Sequence, residues 1–139
     1  HLHVVKAQSN WKPRPGHIYF PGNNTHLTVN TNGRFISLPA APTDLHKPCV
    51  DLLFKTAACA FGSKLTAAIL TGMGKDGAAG LLKIRNAGGM TLAQDEASCV
   101  VFGMPKEAIA MGGAQNVLPL TGIIRYLLEM GNSVPPPTP

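Results

Sequence analysis

The stretch Leu65-Thr-Ala-Ala-Ile-Leu-Thr-Gly-Met-Gly-Lys-Asp-Gly-Ala-Ala-Gly-Leu-Leu-Lys-Ile-Arg-Asn-Ala-Gly-Gly89 decides how the rest of the chain is read. Its first six residues form a nearly unbroken apolar run, the mark of a strand buried on both faces of a parallel sheet. Thr71 to Gly77 then holds Gly72, Gly74 and Gly77, a sharp turn in which backbone passes close to a neighbour. From Ala78 the pattern turns helical, with Ala78, Leu81 and Leu82 on one face and Lys83 and Arg85 toward the C-terminal end. Gly88 and Gly89 supply the helix stop. A glycine loop between strand and helix lies at the carboxyl end of the strand, where open α/β sheets place their ligands. Asp76 is the one acidic residue in that loop.

The surrounding chain has 139 residues, 45% hydrophobic and 14% charged, which describes one globular domain with a real core. No apolar run approaches the roughly 18 residues of a membrane span, and no secretory signal is visible, so neither membrane insertion nor export is expected. Three widely spaced cysteines (Cys49, Cys59, Cys99) indicate neither a disulfide framework nor a zinc site. A cytoplasmic, reducing compartment fits. The net charge of +5 comes from basic residues scattered between Lys6 and Arg125, without the clustered, aromatic-interleaved pattern of a nucleic-acid surface.

Upstream, His1 to Pro15 shows no clear period and ends in a Pro-Arg-Pro-Gly breaker. His17 to Phe20, Leu27 to Val29 and Arg34 to Leu38 are β-prone runs separated by turn signals, Pro21-Gly-Asn-Asn24 and Asn30-Thr-Asn-Gly33. They predict a small antiparallel excursion of two or three strands. After a proline-rich connection from Pro39 to Pro48, the 3-4 spacing of Val50, Leu53, Phe54, Ala57, Ala58 and Phe61 predicts a helix closed by Gly62. Downstream come a strand over Met90 to Gln94, a short helix over Pro105 to Met111, a strand over Val117 to Leu120, and a last helix capped by Thr121 and closed by Gly131. Alternating strands and helices predict an α/β fold with a parallel sheet, plus the antiparallel excursion.

Several chemistries compete for the loop. Gly72-Met-Gly-Lys-Asp-Gly77 matches G-x-G-x-x-G, and Asp95 stands about 20 residues on, the spacing of a dinucleotide fingerprint. Asp76 opposes that reading, because it sets a carboxylate beside the helix N-terminus meant for a pyrophosphate. From pattern alone, Asp76 reads as the cap of the helix that follows it. Five histidines raise a metal hypothesis: His1 and His3 form an H-x-H pair, and His17 and His26 could face each other across the hairpin. No cysteine or carboxylate stands at ligand spacing to them, and no metal or cofactor is expected. Ser63 and Ser98 lack the Gly-x-Ser-x-Gly elbow of a nucleophile; Ser98 reads as a turn cap.

Leu70-Thr-Gly-Met-Gly-Lys-Asp-Gly-Ala-Ala-Gly80 resembles the signature loop of the CheB-type chemotaxis protein-glutamate methylesterases. Gln94-Asp-Glu-Ala-Ser-Cys-Val-Val-Phe-Gly-Met-Pro105 is similar to a second, longer signature of that family. Pro15-Gly-His-Ile-Tyr19 with Pro21-Gly22, and His46-Lys-Pro-Cys-Val-Asp-Leu-Leu-Phe54, continue the match in family order over roughly residues 4 to 130. The resemblance implies an α/β domain built on a modified doubly wound, mostly parallel sheet with helices on both faces. It also implies hydrolysis of glutamate γ-methyl esters, and deamidation of selected glutamines, on chemoreceptors by a Ser-His-Asp mechanism. It places the triad aspartate on Asp76 and an oxyanion donor on the Met73 amide, within the loop Gly72-Met73-Gly74. The family's serine stands in a Ser-Thr-Gly-Gly type loop and its histidine in a Gln-His-Met type stretch; this sequence contains neither. Residues 1–132 are thus expected to be the C-terminal two-thirds of such a catalytic domain, inactive alone, with 133–139 a disordered proline tail. The implied partners are methyl-accepting receptors and a receiver domain, or a chain that supplies the missing third. A binding or scaffold module without the chemistry, and more remotely a dinucleotide-binding domain, are the alternatives.

Overall fold

A computed structural model describes residues 1–133 of the chain. Among these, seven strands and four α-helices follow in the order β1 (His3–Lys6), β2 (His17–Phe20), β3 (Thr25–Val29), β4 (Phe35–Pro39), α1 (Val50–Phe61), β5 (Thr66–Ile69), α2 (Ala78–Asn86), β6 (Met90–Gln94), α3 (Met104–Ala110), β7 (Asn116–Leu118) and α4 (Leu120–Ser133). The expected tail lies outside the described residues from position 134 on; Ser133 ends α4.

The core is the parallel sheet β5-β6-β7, with β6 in the middle and Ala68 level with Leu92 and Leu92 with Asn116. Thr91, Leu92, Ala93 and Gln94 of β6 are all buried, as a strand covered on both faces must be. On one face Ala67 and Ile69 pack with Leu81 and Ile84 of α2 and Ala108 of α3. Side chains alternate along a strand, so Thr66 points to the other face. Its hydroxyl meets Sδ of Met130 on α4 at 3.2 Å, placing α4 on that opposite side. Helices therefore flank the sheet on both faces, as the family resemblance implied.

The N-terminal strands form two separate pairs. β3 and β4 are antiparallel, joined by the Asn30–Gly33 turn in which Asn30 Oδ1 accepts from the Asn32 and Arg34 amides. β2 departs from the expected excursion: it pairs in parallel with β1, His3 opposite His17 and Lys6 opposite Phe20. Only four residues long, β1 is too short to show a period, and its partner arrives through a loop rather than a hairpin. The Pro21–Asn24 turn, held by Thr25 Oγ1 donating to the Gly22 carbonyl, is a corner between sheets.

Helix α1 joins these halves. Ala57 packs with Leu27, Val29 and Phe35 under the antiparallel pair, while Ala58 belongs to the core of the parallel sheet. Gly62, at φ +54°, ends the helix as expected. At the C-terminus two boundaries shift. α4 starts at Leu120, so Thr121 lies inside its first turn, and the helix runs through Gly131 to Ser133. The cap comes from a distant residue instead: the Leu120 amide donates to Ser98 Oγ at 3.1 Å. No helix of the described residues is long and apolar enough to cross a membrane.

Where α1 crosses α2, Gly80 is the contact. A Cβ there would lie 2.6 Å from Phe54 Cβ and 3.2 Å from Asp51 Cα. Gly80→Ala is expected to force the helices apart and destabilise the chain by about 1–3 kcal/mol, despite alanine's better helix propensity. Urea denaturation with an unchanged midpoint would contradict this crossing.

Candidate active site

The loop after β5 and the loop after β6 meet at the carboxyl edge of the sheet, and Thr71 and Gln94 stitch them. The Thr71 amide donates to Gln94 Oε1 at 2.7 Å, and Gln94 Nε2 donates to the Ser98 carbonyl at 2.8 Å. Thr71 Oγ1 accepts from the Val101 amide and donates to the Val101 carbonyl. The Gly72 amide donates to Val101 O, and the Met104 amide to Gly72 O. Gly103 must lack a side chain, since a Cβ would lie 2.6 Å from Gly72 O. Gly72 is thereby held by its own backbone, while the Met73 side chain is 84% exposed. Among the described residues nothing accepts from the Met73 or Gly74 amide. A fixed backbone with open N–H groups is the arrangement an oxyanion needs.

Asp76 lies four residues beyond Gly72, buried to 7% exposure. The structure corrects the local-cap reading. Asp76 does not cap α2, whose preceding residue Gly77 turns away at φ +96° and makes no side-chain cap. It caps α1 across space: Oδ2 accepts from the Val50 amide at 2.8 Å and Oδ1 from the Asp51 amide at 3.0 Å. Cys49, at the head of α1, has no side-chain cap bond of its own. Its thiol instead donates to Asp76 Oδ1 over a long 3.5 Å. Asp51 returns the favour to α2, its Oδ1 accepting from the Gly80 amide at 2.7 Å. Each helix N-terminus thus receives a carboxylate from the other's neighbourhood, as its unpaired amides and dipole favour. Among the described residues no Lys or Arg pairs with Asp76, and Lys75 is exposed.

A second polar chain, from buried His26 to half-exposed Asp44, leads into the same helix end. His26 Nε2 lies 2.7 Å from Asp44 Oδ2, and its Nδ1 accepts from the Cys49 amide at 3.1 Å. An acceptor Nδ1 leaves the proton on Nε2, directed at Asp44. Hydrogen bonds from His26 and the Ala41 amide hold the Asp44 carboxyl below the ordinary carboxylate range. Burial pushes the Cys49 thiol up, and the nearby Asp76 charge adds to this, so Cys49 stays protonated at neutral pH. His26 and Asp44 were not legible as a pair: eighteen positions separate them and no motif links them.

The remaining candidates are dispersed. His17 does not face His26; it lies beside His3, ring centroids 5.1 Å apart, and stacks on Tyr19. No group of three or more His, Cys, Asp or Glu side chains is disposed to hold a metal among the described residues. Ser98 is a turn residue: its Oγ donates to Asp95 at 2.7 Å and accepts from the Leu120 amide. Asp95, which the dinucleotide reading would set on a ribose, is engaged by the Ser98 amide and hydroxyl. Ser63 is exposed on the short turn after α1. Among the described residues no serine or cysteine side chain is hydrogen-bonded to a histidine side chain.

The site thus brings together a buried carboxylate and a fixed loop with open N–H groups, and among the described residues no hydrogen-bonded nucleophile–histidine pair accompanies them. The profile of the CheB methylesterase family matches residues 1–127. The chain belongs to this family. Among curated relatives, the protein-glutamate methylesterase/protein-glutamine glutaminase of Bordetella parapertussis is 51% identical over 134 residues, 93% of this chain and 38% of the relative. Its counterpart from Thiobacillus denitrificans is 47% identical over 131 residues, 92% and 37% of the two chains. The crystal structure of the Thermotoga maritima CheB methylesterase catalytic domain superposes with a TM-score of 0.79 at 38% identity, over 90% of this chain and 68% of that one. The chain spans less than two-fifths of the length of these curated family members.

Two measurements probe the site. An asparagine at 76 keeps one acceptor and turns an N–H toward an N–H of α1. Asp76→Asn is therefore expected to cost about 1–3 kcal/mol, and Asp76→Ala more, because buried donors lose their partners. Equal melting of Asn and wild type would remove the two-amide cap. For Asp44 the folded pKa is depressed, so its contribution is complete above the unfolded value and lost as pH falls through the folded one. Stability should decline below about pH 4, less steeply in Asp44→Asn than in wild type. Superimposable acid limbs would show that the His26–Asp44 bond contributes nothing.

Proposed function

We propose that this chain provides the aspartate and one oxyanion donor of a Ser-His-Asp hydrolase that demethylates glutamate γ-esters, and deamidates glutamines, on chemoreceptors. The serine and histidine come from sequence outside this chain, as a preceding segment or from a partner. The observation that carries the proposal is the Asp76 carboxylate, buried and, among the described residues, free of Lys or Arg partners, in the same loop after β5 as the open Met73 amide.

The chemistry follows from the donors. Two amides of α1 hold the carboxylate in one orientation, and among the described residues Oδ2 accepts only from the Val50 amide. A carboxylate oxygen has a second lone-pair direction, so Oδ2 can take an imidazole N–H. That bond fixes the tautomer and stabilises the imidazolium formed when histidine removes the serine proton. The serine oxygen attacks the ester carbonyl, and the Met73 amide receives the developing oxyanion. Methanol leaves, protonated by the imidazolium, and water attacks the acyl-enzyme to free the glutamate carboxylate. Asp51 supports this at one remove by holding α2 against α1.

The absence of a nucleophile–base pair among the described residues favours a second reading, a non-catalytic module of the same fold. Assay of methanol release from methylated receptor distinguishes them. The chain alone is expected to release none and to resist serine-directed phosphonates. In a polypeptide carrying the serine and histidine together with this sequence, Asp76→Asn should lower kcat by a factor on the order of 10⁴. Melting measured in parallel separates that loss from unfolding. Near-wild-type turnover by the folded Asn variant would exclude Asp76 from the mechanism, and no turnover in the parent polypeptide would favour the module.

A further inference from the structure

The loop between β1 and β2 has no part in the chemistry above, yet its Asn10, Trp11, Lys12 and Arg14 wall a cavity of about 390 Å³. Trp11, Lys12, Arg14, His17, Tyr19 and Arg34 line it, and its lining includes no carboxylate. It shares no residue with the loops around Asp76.

The cavity is firmly built. The Phe35 amide donates to Trp11 O, and the Asn10 amide to Phe35 O, which sews the 8–14 loop to the start of β4. Arg34 Nη1 donates to the Asn10 carbonyl at 2.8 Å, which fixes one edge of the guanidinium. The Arg14 amide donates to Tyr19 Oη at 3.1 Å, so the Tyr19 hydroxyl proton is left to donate elsewhere. Among the described residues the one ion pair is His26 with Asp44, so Lys12, Arg14 and Arg34 converge without a counter-ion. Three like charges around one concavity repel each other and favour an anion between them.

We infer that this pocket docks an acidic peptide segment, its carboxylates paired with Lys12, Arg14 and Arg34 and its backbone lying against Trp11 and Tyr19. Phosphate sites are built largely from backbone N–H groups at glycine nests or helix N-termini. Here Pro13 and Pro15 lack amide protons and the Arg14 amide is already spent on Tyr19. Recognition therefore falls to separate side-chain forks drawn from a loop and a strand, an array suited to several carboxylates along a chain. Guanidinium groups match carboxylates in two-point contacts, and aromatic faces cover aliphatic stems.

Trp11 is the only tryptophan of the chain, so its fluorescence reports this pocket directly. Titration of the chain with a capped penta-glutamate peptide, followed by fluorescence and calorimetry, should give a saturable response that weakens with added salt. Lys12→Gln and Arg14→Gln, both at exposed positions, should each weaken binding roughly tenfold, as for loss of one charge-assisted bond. Lys83→Gln and Lys106→Gln, exposed elsewhere, should leave it unchanged. Absence of saturable binding in both measurements overturns the proposal. Equal weakening by the remote lysine variants overturns it too, by revealing only diffuse attraction. Displacement of the peptide by inorganic phosphate at equal or lower concentration would assign the pocket to phosphate instead.

Discussion

The structure depends on an exchange of carboxylates between two helices. Neither α1 nor α2 carries a side-chain cap of its own, since Cys49 and Gly77 precede them. Asp76, just before α2, satisfies the first amides of α1, and Asp51, in the first turn of α1, satisfies the Gly80 amide of α2. Each bond is made between segments more than twenty residues apart, so the cap exists only when the helices are packed. Gly80 permits that packing by leaving room for Phe54. Helix termini that need each other in this way couple the folding of α1, and the β3–β4 pair beneath it, to the parallel sheet.

The same exchange is compatible with the triad role proposed for Asp76. A carboxylate in a buried site demands several donors, and the α1 N-terminus provides two with rigid geometry. Cys49 adds a weak third, its thiol kept neutral by burial and by the Asp76 charge. A helix N-terminus holds a carboxylate through its amides without setting an arginine or lysine against it. Structural cap and triad aspartate are therefore compatible roles for one side chain, because capping uses some lone-pair directions and leaves another open.

Around this centre, polar side chains with no chemistry of their own set the loops. Gln94 is buried at the end of β6, where its amide reaches Thr71 on one side and Ser98 on the other. Ser98 passes the connection to α4 through the Leu120 amide. His26 plays the corresponding part on the far side, linking the Asp44 turn to the head of α1. These side chains satisfy backbone groups that loops would otherwise bury unpaired.

Much of this was legible from residues alone. The apolar run ending at Leu70, the three glycines and the 3-4 spacing of α1 gave the strand–loop–helix unit and the α/β class, because local periodicity is set by neighbours in sequence. Gln94 to Pro105 also marked itself as a unit, through its likeness to a family signature. That Asp76 caps α1 was not legible, since a residue before a helix reads as that helix's cap until the distant helix is in place. The parallel pairing of β1 with β2, the His26–Asp44 bond and the convergence of Lys12, Arg14 and Arg34 were hidden for the same reason. Sequence pattern determined which elements form; only tertiary packing decided which distant groups meet, because hydrogen-bond partners are chosen by proximity in space.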